Sequence, residues 1–185
     1  MNTTDLTDGY PVEYEYNLRT PWKGMVSASY IIGANSSDVK QQHGFITADA
    51  EYVNYAAMKY KFNKGSQSDR DYANALNNSI DQMYKGALNV RVGGELKFNV
   101  FAARAGFAYY SSPYEDSNMD GSNMKLSGGV GYRNRGFFID LTYVHTIAKD
   151  TYYPFRLQDD GGVPVTAAQG NLTGGNILAS VGFKF

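Results

Sequence analysis

The stretch NILASVGFKF, residues 176–185, decides how this chain is to be read. Ile177, Ala179, Val181, Phe183 and Phe185 share one parity, and Leu178, Ser180, Gly182 and Lys184 share the other. That alternation is the period of a strand with one greasy face and one small or polar face. What the greasy face touches sets the fold class.

The same pattern recurs upstream. In GFFIDLTYVHTI, 136–147, Phe137, Ile139, Leu141 and Tyr143 oppose Phe138, Asp140, Thr142 and Val144. In KLSGGVGYR, 125–133, Leu126, Gly128, Val130 and Tyr132 oppose Lys125, Ser127, Gly129, Gly131 and Arg133. The link between them, Asn134-Arg135-Gly136, has the residues of a tight hairpin. ALNVRVGGELKF, 87–98, turns at Asn99 into FAARAGFAYY, 101–110, and FITADAEYVNY, 45–55, precedes both. From Tyr14 to Ile32 one parity holds straight through Pro21. This is one long strand with Pro21 near its exposed end, where a missing donor is tolerated, or two strands joined by a Thr20-Pro21 turn. The count is seven or eight.

Connections alternate in length. The turns at Asn99 and Asn134 are tight, whereas Asn63–Gly86, Ser111–Asn123 and Ala148–Gly175 are long. Short turns at one end and long loops at the other fit an outer-membrane barrel. Within the first long loop, Ser68 and Asp71 form a capping-box pattern. Tyr72, Leu76, Ile80 and Met83 or Tyr84 then recur at helical spacing up to Gly86, so a short amphipathic helix is expected there.

The two parities also differ in charge. One carries Asp49, Glu51, Arg91, Glu95, Arg104 and Asp140 in mid-strand, which suits a solvated lumen where opposite charges pair across strands. The other mixes apolar residues with Gly and Ala and places Tyr30, Tyr52, Tyr109, Tyr132, Tyr143, Phe183 and Phe185 near strand ends, as an interfacial aromatic girdle requires. The greasy face is therefore expected to touch lipid. A soluble meander with one polar face shares the alternation and remains the competing reading.

Composition sets bounds on this. At 185 residues the chain has the length for one domain with a sizeable core. Net charge is −1, so no broad basic field for nucleic acid exists, and the lack of Cys excludes disulfides and thiolate metal sites. No apolar run of transmembrane-helix length occurs, and MNTTDLTDGYPVE lacks the basic start and apolar stretch of a signal peptide. A hydrophilic average says little against a barrel, whose strands place only alternate residues on lipid. Residues 1–13 read as an N-terminal tail or loop remnant, and 14–185 as the barrel segment.

The order of segments resembles a known family. LRTPWKGMVSASY, DAEYVNYAAMKY, YKGALNVRVGGELKF, FAARAGFAYYSSPYE, KLSGGVGYR, FFIDLTYVHT and NILASVGFKF together resemble the C-terminal half of the FadL/TodX family, in its Bacteroidetes branch. The likeness spans about Tyr14 to Phe185. Its most specific pieces are Gly106-FAYYSSPYE, Tyr143-Val-His145 and the Gly-Phe-Lys-Phe end. The resemblance implies a 14-stranded outer-membrane wall of Gram-negative bacteria, plugged by an N-terminal hatch, through which long-chain fatty acids or other hydrophobic compounds diffuse passively. It also implies outer-membrane lipid, a hydrophobic ligand such as a fatty acid, and barrel-assembly machinery meeting the C-terminal strand as partners. This chain matches neither the hatch nor the first half of the wall. Seven strands make half a barrel with two unpaired edges, so it is a fragment, a small eight-stranded barrel, or one of two pairing copies. A small structural or adhesive outer-membrane barrel without a transport path is the alternative function.

No catalytic or cofactor constellation emerges. Asp116-x-Asn118-x-Asp120-Gly121 begins like a calcium loop, but its twelfth position is Ser127 and a strand follows. His43 and His145 stand far apart, without carboxylate or Cys at ligand spacing; His145 is placed at the outer interface. Gly128-Gly129-x-Gly131 lies inside a strand, not in a strand-to-helix turn. A Ser-His-carboxylate arrangement is missing, so a membrane-bound hydrolase is disfavoured. No enzyme activity, metal or cofactor is expected. Arg91 and Arg104 are candidate donors to a fatty-acid carboxylate, against a plain ladder of charges that holds strand register.

Overall fold

The computed structural model describes residues 16–33, 42–62, 66–152 and 168–183. They form nine strands, one helix and a single 3-10 turn. In chain order these are β1 (Tyr16–Arg19), β2 (Trp22–Ile32), β3 (Gly44–Asn54), the turn Tyr55–Ala57, β4 (Lys59–Phe62), α1 (Gln67–Met83), β5 (Gly86–Phe98), β6 (Phe101–Tyr110), β7 (Asn123–Asn134), β8 (Phe137–Tyr152) and β9 (Ala168–Phe183). Seven strands make one antiparallel sheet in the order β2-β3-β5-β6-β7-β8-β9, while β1 and β4 pair separately. No helix among the described residues is long and apolar enough to cross a membrane.

Register turns the alternation into two faces. Val26, Ala50, Val90, Tyr109, Met124 and Ile147 are successive cross-strand partners from β2 to β8. At positions of the other parity, Asp49 partners Arg91 and Glu95 partners Arg104, on the opposite face. The tight hairpin is a two-residue turn, Arg135-Gly136, with positive φ of 40° and 88°. Those angles match the right-handed strand twist and explain the glycine. The Asn99-Val100 turn likewise places Asn99 at a φ of 56°, which Asn tolerates. At the same end, the third connection, 33–43, is longer than either.

The first stretch breaks at Pro21, so the two-strand reading is the one observed. The β2–β3 ladder stops at Trp22 opposite Asn54 and resumes past the 3-10 turn as β1–β4, from Arg19 opposite Lys59 to Tyr16 opposite Phe62. Pro21 supplies no N–H for a continuous ladder, and the turn absorbs the mismatch on the partner side. The would-be eighth wall strand is thus spent on β4, and the sheet stays open: eight-stranded closure within the described residues is not formed. β2 and β9 both run from the long-loop end to the tight-turn end, a direct result of seven antiparallel strands.

Two further boundaries differ from expectation. β8 continues to Tyr152 and β9 begins at Ala168, so the third long loop shrinks to 153–167, outside the described residues. Polar and glycine-rich, AQGNLTGGN has the composition of a loop, yet each of its nine residues has a ladder partner in β8, from Ala168 opposite Tyr152 to Asn176 opposite Val144. The helix is capped two residues earlier than the sequence pattern placed it. Ser66 accepts from the Asp69 amide at 3.3 Å and the Asp69 carboxylate accepts from the Ser66 amide at 2.7 Å, a complete capping box.

The described residues do not form a sizeable core. Among the described residues only Val53, Ala73, Ala87 and Ala102 are buried hydrophobics, whereas Ile177, Val26 and Tyr30 are 75, 70 and 70% exposed. Rings do fill gaps left by glycines in neighbouring strands: Tyr52 lies over Gly86, Tyr143 over Gly175 and Phe138 over Gly182, where a Cβ would overlap the ring.

Polar contacts and one ring pair, Phe62–Tyr72 at 6.3 Å, hold the helix to β4. Asn77 donates to the Tyr60 carbonyl at 3.0 Å and accepts from its amide at 2.7 Å, standing in for a strand partner. Lys59 pairs with Asp81 at 2.7 Å. Replacing Asn77→Leu removes both bonds at about 1 kcal/mol each. Amides of Gln67–Met83 should then exchange roughly tenfold faster or more, with β5–β9 unchanged, as read by hydrogen exchange.

Candidate functional site: the charged face and its rims

The six charged residues singled out from the sequence all lie on one face of the seven-stranded sheet, and the register joins them into two groups. Toward the long-loop end, Asp49 faces Arg91 with a loose contact of 3.7 Å, and an Arg91 amine also meets the Met25 sulphur at 3.3 Å. Glu51 accepts from Asn89 at 3.0 Å and sits 3.4 Å from Lys23. Toward the tight-turn end, Arg104 binds Glu95 through Nε and Asp140 through Nη1, both at 2.5 Å.

Arg104 and Asp140 belong to β6 and β8, with β7 between them. The guanidinium crosses β7 because residue 131 has no side chain: a Cβ on Gly131 would collide with the Asp140 carboxylate and crowd Arg104. Gly129, directly opposite Arg104, and Gly106 opposite Ser127 keep the same zone low. Glycines that weaken a strand by their own propensity thus have a use as the floor under a three-residue ion network. Glu95 is 8% exposed and Arg104 is fully engaged by two carboxylates, so Arg104 is a structural tie in this state. The sequence pattern singled out Arg104 and Asp140 but could not show that they meet, since that depends on register across two ladders.

Of the seven aromatics singled out from the sequence, the register places Tyr30, Tyr52, Tyr109, Tyr132, Tyr143 and Phe183 on the apolar face. Toward the tight-turn end stand Tyr30, Phe98, Phe101, Tyr132, Phe137 and Phe183, with Phe101–Tyr132 and Phe137–Phe183 ring pairs at 5.3 Å. Toward the other end stand Trp22 and Tyr52, 5.5 Å apart, and Tyr109. Trp22, Phe98, Phe101 and Phe137 were not singled out in the sequence, although their parity matched. Tyr143 differs from expectation: it stands midway along β8, because β8 runs on past it, and its hydroxyl meets His145 Nδ1 at 3.1 Å. Phe185 lies outside the described residues. Phe101 and Tyr109 on β6, like Trp22 and Tyr30 on β2, are eight residues apart, ~26 Å along a strand.

The calcium-like loop is occupied by its own bonds. Asp116 accepts from the Asn118 amide at 2.9 Å, and Asp120 accepts from the Ser122 amide and from Lys149 Nζ, each at 2.9 Å. Asp120 Nα–H in turn donates to Thr151 at 3.2 Å, tying the loop to the extended end of β8. No cluster of three metal-ligating side chains occurs among the described residues.

No family model, curated protein or solved structure matches the chain. The resemblance to the FadL/TodX transporters is one of order and spacing of sequence segments alone.

Two outcomes follow from this geometry. Gly131→Val should displace Asp140 from Arg104 and lower the denaturant midpoint, at a cost of roughly 1–3 kcal/mol on this half-solvated face, whereas Gly128→Val, which projects into open space on the other face, should not. The second concerns pH. Bonds from Ser122 and Lys149 hold the Asp120 carboxyl down to about 2, below its ordinary value of 3.8. A carboxyl depressed on folding adds stability that is full above its ordinary value and is lost as pH falls through about 2. The Ser122 amide should stay protected at pH 4 and become labile near pH 2, as followed by NMR.

Proposed function

We propose that the chain is the C-terminal part of an outer-membrane β-barrel of the FadL/TodX kind, which admits long-chain fatty acids or other hydrophobic compounds by passive diffusion. The observation that carries this reading is the apolar face. It spans all seven strands, lacks a second layer among the described residues, and is bordered by aromatics about 26 Å apart along the strands. With strands tilted as in such barrels, that spacing falls to ~20 Å along the membrane normal, close to the ~25 Å apolar band of outer-membrane barrels.

The opposite face supports a solvated lumen. Its charges are paired across strands and its floor is lowered by Gly93, Gly106, Gly129 and Gly131, which leaves room above the sheet. Asp49, Glu51, Arg91, Glu95, Arg104 and Asp140 would line that space, and Arg91, with its loose bond to Asp49, is the freer of the two arginines to meet a passing carboxylate. A bacterial outer membrane is the location, with lipid against Tyr30, Tyr52, Tyr109, Tyr132, Tyr143 and Phe183. Open edges on β2 and β9 are not stable in lipid, so the wall is completed by further strands. The small self-contained barrel without a transport path needs an eight-strand closure, which the diversion of β1 to β4 works against.

The test is membrane insertion followed by uptake. Folded into vesicles carrying brominated lipids, the chain should show quenching of its single tryptophan, Trp22, and a heat-modifiable gel mobility. Vesicles with the complete wall should take up a fluorescent fatty acid faster than empty ones. A chain that stays monomeric and water-soluble without detergent sinks the reading.

A further inference from the structure

We propose that the cavity at the tight-turn end of the charged face is an oxyanion-binding site, in which Lys97 and Arg133 hold a carboxylate or phosphate between them. The ion network is a chain of contacts that curves back on itself: Lys97, Glu95, Arg104, Asp140 and Arg133 alternate in sign, each beside the next, and both ends come to the same part of the face. Three cations face two carboxylates, so the chain of contacts carries one excess positive charge.

That excess resides at the two ends. Arg104 takes both carboxylates at 2.5 Å, whereas Lys97 stands 3.9 Å from Glu95 and Arg133 stands 4.0 Å from Asp140, beyond hydrogen-bond reach. Both terminal cations line one cavity of about 500 Å³, together with Glu95, Ala102, Asn99 and His43. Lys97 and Ala102 are cross-strand partners, and Gly131 is partner to Ala102 in the next strand. Ala102 forms the floor, so no side chain on β6 separates Lys97 from Arg133. The one carboxylate in the lining, Glu95, is turned to Arg104, which it shares with Asp140, so the triad keeps one negative charge against the two positive ends. Arg133 is also positioned by the Phe138 ring, 5.9 Å from its guanidinium carbon. Its fork can meet two oxygens while Lys97 supplies a point charge to the same group.

An oxyanion seated there would complete the alternation, sign for sign, at both ends. Its source is a free small anion or the head of an anionic amphiphile, and two probes separate them. This inference stands apart from transport: a chain that fails to insert in lipid yet binds the oxyanion would remove only the proposed function.

The experiment uses the full chain folded in nonionic detergent, with the Ala102 and Gly131 amides followed by NMR. Saturable shifts on adding inorganic phosphate assign a free oxyanion; saturation by dodecanoate but not phosphate assigns an amphiphile head. Lys97→Gln and Arg133→Gln should each weaken binding roughly tenfold, and Lys97→Arg should retain it, as expected for one charge-assisted bond. Both side chains are solvent-facing and stand 3.9 and 4.0 Å from their nearest carboxylates, and added salt provides a second readout on the unmodified chain by weakening the binding. No shift with either probe, or an unchanged affinity in the Lys97→Gln/Arg133→Gln double variant, overturns the site. In that case the charges only hold the strands in register.

Discussion

A sheet face carrying Val, Ile, Leu, Phe and Tyr from seven adjacent strands has to be kept from water, and among the described residues the chain has no second layer with which to do so. A soluble sandwich would solve this by packing another sheet about 10 Å away, with large aliphatic residues interlocking between them. The apolar face instead mixes bulky residues with Gly and Ala, a poor surface for close packing but an adequate one for contact with fluid chains. The other face, with Glu95 and Asn89 buried and their partners satisfied, is where specific bonds are found. Order in this molecule comes from the polar side.

Arg104 illustrates how that order is built. Its two carboxylates sit on β5 and β8, so one side chain fixes the relative register of four strands. A slip of β7 by one residue would turn Gly129 and Gly131 to the far face and bring Gly128, Val130 and Tyr132 beneath the guanidinium. Removing Arg104 would leave Glu95 and Asp140 with only the looser contacts to Lys97 and Arg133, at 3.9 and 4.0 Å, which is worse than never having had the carboxylates there.

Much of this was legible in the sequence, and the reasons differ by element. The strands from Phe45 to Ile147 and the two tight turns follow from a strict period of two and from Asn and Gly at turns. The helix follows from Tyr72, Leu76 and Ile80, though its cap was displaced because Ser66 and Ser68 both offer a Ser-x-x-Asp pattern. β4 escaped notice because Lys59–Phe62 is four residues long and is held by β1 and Asn77, contacts no local pattern reveals. The outer halves of β8 and β9 escaped because Thr, Asn, Gln and Gly there have loop composition and gain their ladder only from each other. Arg104 was recognisable as a charge in an unusual place; its role over Gly131 was not, since that needs the register of three strands at once.

The shared direction of β2 and β9 has an arithmetic consequence. A ring of antiparallel strands can close without a parallel seam only if its total is even. To this sheet of seven, any completing set must therefore contribute an odd number, entering beside β2 and leaving beside β9 with both of its terminal strands running from the turn end toward the long loops. A twin of the same sheet, rotated about an axis through the bore, meets the count but not the direction: its own outer strands run the wrong way, and both seams would be parallel. The polarity of two edge strands thus favours a partner built differently from this one.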